Sequence, residues 1–146
     1  MGHYRKTFHI GAPVEEVWEL MCDPSRLTEW NTAFEGVTDA SGRLDEVGVT
    51  FTQIMRVGGI QFKGRWEITG VESLRRREFQ GTPPGCVSCS GRDTFEPMDG
   101  GTDLMVELDY KLRGGVFGRA ADRVFARPLM ERVLQGNLLN LRRILE

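Results

Sequence analysis

Four polar side chains, Gln53, Arg77, Asp93 and Tyr110, are of the types that move a proton or hold a developing oxyanion, set among strand-like apolar residues. A carboxyl kept from water is pushed toward neutrality and can act as an acid, while a guanidinium can hold an enolate oxygen. Tyr110, Arg77 and Asp93 are therefore the catalytic candidates. A structural ion pair is the commoner fate of an Arg and an Asp on one face, because ion-pair networks also perturb charged groups.

Cys86-Val87-Ser88-Cys89 is a CxxC, but a redox pair needs a helix N-terminus and a zinc site needs two more ligands. Both cysteines fall on an expected strand and are expected to point to opposite faces, as small hydrophobes. The two histidines, His3 and His9, take the outward positions of the first strand. GxSxG, Walker, GxGxxG and HExxH motifs are absent, so triad hydrolase, nucleotide and zinc-protease readings lack their signatures. No metal and no cofactor are expected.

The elements that must position these residues follow from periodicity and Gly/Pro punctuation. Tyr4 to Ile10 alternates as an opening strand. Pro13, Glu15 and Glu16 suit a helix start, with Val14, Val17, Trp18 and Met21 as its buried stripe. Trp18 is assigned to the core. A short helix from Pro24 to about Trp30 follows an Asp23 cap. Six strands are expected at roughly 34–40, 47–57, 60–71, 74–81, 86–96 and 103–113, joined as an antiparallel meander by turns at Ser41-Gly42, Gly58-Gly59, Pro83-Pro84-Gly85 and Gly100-Gly101. Val116 to Leu145 has helical spacing, with a kink expected near Pro128. Gly136 weakens that helix by about 1 kcal/mol and implies either close packing on the sheet or room for a ligand.

Hairpin parity assigns faces, because cross-strand partners share one. A two-residue turn at Gly58-Gly59 pairs Val57 with Ile60, Met55 with Phe62, Gln53 with Gly64, Phe51 with Trp66 and Val49 with Ile68. That face is apolar except for Gln53. A two-residue turn at Gly100-Gly101 pairs Phe95 with Val106, Asp93 with Leu108 and Gly91 with Tyr110, whereas a three-residue turn would flip the 86–96 strand and send Asp93 to solvent. Phe79 facing inward carries Arg77 inward with it, within reach of Asp93.

Three stretches, 12–31, 95–110 and 114–146, resemble the START-like or helix-grip superfamily, specifically its polyketide cyclase/dehydrase-like branch. The resemblance implies an α+β fold of β-α-α-β6-α order, a curved antiparallel sheet of about seven strands around a long C-terminal helix. It further implies a cavity between them and apolar ligands such as lipids, polyketides or other ring compounds. Members include enzymes, carriers and regulators, so any cyclase or dehydratase activity needs its own evidence. The expected ligand contacts are Trp30, Phe51, Gln53, Met55, Phe62, Trp66, Phe79, Phe95, Leu108, Tyr110, Phe125 and Leu134.

Partner classes are bounded by charge. The 146 residues carry 19 Lys+Arg and 21 Asp+Glu, mixed along most of the chain, for a net charge of −2. No basic face for tracking nucleic-acid phosphates is evident. From Gly114 onward six arginines (Arg119, Arg123, Arg127, Arg132, Arg142 and Arg143) outnumber three acids. That helix face offers the alternative of a protein-interaction or regulatory module docking an acidic partner, against the commoner solvated face. With no apolar leader and no apolar run of membrane-spanning length, a single cytoplasmic domain with reduced cysteines is expected, without integral membrane association and with a homodimer possible.

Overall fold

The computed structural model describes residues 2–114 and 126–146. In chain order the elements are β1 (Gly2–Ile10), α1 (Val14–Cys22), a 3-10 turn (Pro24–Arg26), α2 (Leu27–Trp30), β2 (Gly36–Thr38), β3 (Thr50–Val57), β4 (Ile60–Glu72), β5 (Arg76–Thr82), β6 (Cys86–Met98), β7 (Gly101–Leu112) and α3 (Arg127–Leu145). The strands form one antiparallel sheet in the order β1-β7-β6-β5-β4-β3-β2. This is the helix-grip arrangement expected from the sequence. No described helix is long and apolar enough to cross a membrane.

Two register shifts, between Ile68 and Gly70 on β4 and between Cys86 and Ser88 on β6, break the sheet's regular pairing. Bulges of this kind bend a strand and increase its twist, which helps curve the sheet. The concave face is covered from two sides. At one end α1 buries Val14, Val17, Trp18, Leu20, Met21 and Cys22, and Trp18 meets Phe95 edge-on with ring centroids 5.0 Å apart. Asp23 caps the turn that follows, its carboxylate accepting the Ser25 N–H at 3.0 Å.

Along the sheet, α3 buries Leu134, Asn137, Leu138 and Leu141, the i, i+3, i+4, i+7 stripe of a helix on a core. Asn137 tethers it, its Oδ1 accepting the Thr32 N–H at 2.7 Å and the Thr32 hydroxyl at 3.1 Å. Gly136 does neither of the things expected of it. A β-carbon there would stand 3.0 Å from Thr32 Cγ2, so the glycine admits the segment after α2, not the sheet and not a ligand.

The β3–β4 pairing is as expected from Val57↔Ile60 to Phe51↔Trp66, and the Ile68 N–H bonds to the Val49 carbonyl at 2.8 Å. The β6–β7 pairing differs by two residues: Phe95 faces Leu104, Asp93 faces Val106, Gly91 faces Leu108 and Cys89 faces Tyr110. Met98 pairs with Gly101, so the turn is Asp99-Gly100. Gly101 is held in the strand because its α-carbon lies against β1; a β-carbon there would be 2.1 Å from the Ile10 carbonyl oxygen. A shift of two preserves the side-chain faces. Pro128 occupies the first turn of α3, where its missing N–H costs no intrahelical bond. The expected kink before it falls at residues outside those described.

Candidate functional site

Between the concave face of the sheet, α2 and α3 lies a cavity of about 360 Å³. Its deep end is closed by Phe8, Met21, Leu44, Ile68 and Leu104, and its outer end is bounded by Pro83, Pro84, Cys86 and Leu129. Leu129 is 52% exposed while lining the wall, so the cavity reaches solvent there.

Of the expected contacts, Trp30, Phe51, Gln53, Met55, Trp66, Phe79, Leu108, Tyr110 and Leu134 stand on the wall. Phe51 tilts against Phe34 with centroids 6.2 Å apart, and Trp66 meets Phe79 edge-on at 5.6 Å. Two expectations are corrected. Phe62 faces Met55 across the hairpin as paired, yet it is 41% exposed and does not line the cavity, because β4 runs past the covered part of the sheet. Phe95 is 2% exposed and belongs to the core beside Trp18. Phe125 lies outside the described residues.

Gln53, Arg77 and Asp93 on the wall are engaged by protein partners. Gln53, buried opposite Gly64, accepts the Trp66 indole N–H at 2.9 Å and donates to the Ala33 carbonyl at 2.8 Å. Gly64 makes this possible: a β-carbon there would come within 3.1 Å of Gln53 Oε1 and 2.9 Å of Pro83. Arg77 and Asp93 are cross-strand partners with an Nη2–Oδ2 distance of 2.8 Å, both side chains 6% exposed. The guanidinium also donates to the Met21 carbonyl at 2.8 Å, holding the last turn of α1 onto the sheet. Burial raises the Asp93 carboxyl above its ordinary range, with Arg77 offsetting part of that effect. Two wall donors stand apart: the Trp30 indole N–H and the Arg77 Nε–H are buried without a partner among the described residues.

The cysteines also correct the sequence reading. Cys86 and Cys89 both line the cavity. Three residues apart on a regular strand they would face opposite ways, but the bulge at Val87 adds one residue and brings them to the same side. Burial raises both thiols, Cys89 to about 12, so at neutral pH they are protonated and weakly nucleophilic. No cluster of potential metal ligands occurs among the described residues. His3 and His9 face outward, as expected, hydrogen-bonded to Asp109 at 2.7 Å and Asp103 at 2.9 Å. On α3, Arg142 donates to the His9 carbonyl and Arg143 to Asn140, so part of its basic face serves the fold. Arg119 and Arg123 lie outside the described residues.

Sequence reasoning missed Phe8, Met21 and Leu44, since opening-strand, helix and loop residues carry no hairpin parity that aims them at the cavity. The Pro83-Pro84 turn, another part of the rim, reads in the sequence only as punctuation.

Among solved structures, the fold is similar to TTHA0849 from Thermus thermophilus, with a TM-score of 0.75 and 22% identity over 97% of this chain and 95% of that one. It is similar to the di-domain ARO/CYC StfQ of the steffimycin biosynthetic pathway (TM-score 0.78, 12% identity, 97% of this chain and 49% of that one). It is also similar to Ara h 8.0201 (TM-score 0.75, 13% identity, 98% and 96%). No curated protein matches the sequence. Residues 1–146 match the family model described as polyketide cyclase/dehydrase and lipid transport, and the chain belongs to that family.

Proposed function

We propose that this protein binds a hydrophobic small molecule, a lipid, polyketide or other ring compound, in the cavity between sheet and α3. The observation that carries this is the wall itself: about 360 Å³ lined mainly by apolar side chains, within the size range of small-molecule sites. Gln53 and the Arg77–Asp93 pair are already engaged by protein partners, which favours a binding role over acid–base chemistry. The family description and the likeness to an aromatase/cyclase agree with an apolar ligand of this kind.

Native mass spectrometry of protein purified from its own host, with thermal shift against a panel of lipids and polyketide-like aromatics, tests the reading. A retained compound and a rise in Tm are expected, by mass action on the folded state. Absence of both across the panel overturns it. A cyclase or dehydratase reading requires that Tyr110→Phe, Arg77→Met or Asp93→Asn abolish turnover in protein that remains folded.

A further inference from the structure

Four of the seven exposed large apolar side chains among the described residues, Ile60 at 62%, Leu129 at 52%, Val87 at 47% and Phe62 at 41%, lie on segments that border the cavity at Met55, Pro83, Cys86 and Leu129. The segments carrying them are neighbours there. Gly64 of β4 packs against Pro83, the Arg113 N–H bonds to the Gly85 carbonyl at 3.1 Å, and Pro83, Cys86 and Leu129 share the cavity rim. Side chains added at Gly58, Gly59 or Gly85 would meet nothing within 4 Å, so these turns project clear of the protein body.

Charge marks the same end. Residues 55–65, 82–90, 111–114 and 126–130 contain Arg56, Lys63, Arg65, Lys111, Arg113 and Arg127 and no Asp or Glu, in a chain whose net charge is −2. Glu35 neutralises Arg56 at 3.1 Å. Lys63, Lys111 and Arg113 are exposed and have no ion pair among the described residues.

Apolar points projecting from separate turns, flanked by unpaired cations, fit a lipid surface better than a protein one. Anionic headgroups attract the cations while the apolar tips enter the acyl boundary. A stable protein partner needs a broad, shape-complementary patch, which separated tips do not make. We propose that the end of the molecule around the cavity mouth docks on an anionic lipid bilayer, so that an apolar ligand passes between acyl chains and cavity without crossing water. The purpose of the docking rests on the ligand-binding reading; the docking itself is measurable without it.

Co-sedimentation of the full chain with phosphatidylcholine vesicles, with and without phosphatidylglycerol, tests the proposal. Binding to the anionic vesicles is expected, weakening as salt rises. Lys63→Gln and Arg113→Gln should each weaken it about fivefold. Ile60→Asp and Phe62→Asp should also weaken it, whereas Val47→Asp, beyond the opposite end of the β3–β4 ladder, should not. No binding, equal binding to neutral vesicles, or indifference to these variants overturns the proposal. So does a dimer in sedimentation velocity that Phe62→Asp dissociates while vesicles remain unbound, since the face then belongs to a second copy. Cavity occupancy is read separately from fluorescence of 1-anilinonaphthalene-8-sulfonate. Bound dye without vesicle binding overturns docking alone, and vesicle binding without bound dye overturns the cavity reading while docking stands.

Discussion

Arg77 and Asp93 face each other directly across β5 and β6 with 2.8 Å between nitrogen and oxygen, and the same guanidinium grips the Met21 carbonyl at the end of α1. One buried pair thus joins two strands and a helix. Removing either partner leaves an uncompensated charge in the interior.

Asp93→Leu or Arg77→Met alone should therefore lower stability by about 3–5 kcal/mol, while Arg77→Met/Asp93→Leu together should cost much less than their sum. Urea unfolding of the two single variants and the double variant checks this. Strictly additive losses would contradict the pairing.

Gln53 is the hinge of a shorter chain of bonds. Gln53→Leu leaves the Trp66 indole N–H and the Ala33 carbonyl without their partner, and should destabilise by about 1–3 kcal/mol for each group left unpaired. Trp66→Phe should restore part of the loss in the double variant, measured by the same unfolding assay.

In an exposed helix Gly136→Ala would add about 1 kcal/mol of stability. Here the new methyl meets Thr32, whose hydroxyl is pinned by Val133 and Asn137, so a net loss is expected. Thr32→Ser removes the opposing methyl and keeps the hydroxyl. The double variant should then exceed Gly136→Ala in Tm.

Alkaline pH should weaken the fold. Burial raises the Cys89 thiol from 9.0 to about 12 and, with the nearby Glu131 carboxylate, the Tyr4 hydroxyl from 10.0 to about 12. The folded state keeps these protons where the unfolded chain loses them, so their effect is absent below about pH 9 and stability falls as pH rises toward 12. At about pH 10.5 the Cys89 share is on the order of 2 kcal/mol. Unfolding of wild type, Cys89→Ala and Tyr4→Phe at pH 7.5 and 10.5 should show the drop shrinking in both variants.

The faces of the strands were legible because alternation has a period of two and survives even the two-residue error at the last hairpin. That error arose because Gly100 and Gly101 have the same composition and different tasks: one turns the chain, the other lets β1 approach. Phe62 and Phe95 show the limit of parity, which tells the side of the sheet a residue faces but not what covers it at that point. Trp18 covers Phe95, and nothing equivalent covers Phe62 among the described residues. The partners of Gln53 and Arg77 outside the sheet, Ala33 and Met21, come from tertiary contacts that no spacing encodes.

The extra residue at Val87 turns Cys86 to the same side as Cys89. Loss of Val87 would restore plain alternation with the two cysteines two residues apart and still on one side, leaving Trp18, Phe95 and the buried ion pair in place. The bulge thus absorbs a one-residue change in strand length without re-facing the wall beside the Pro83-Pro84 turn, at a point remote from what keeps the molecule folded.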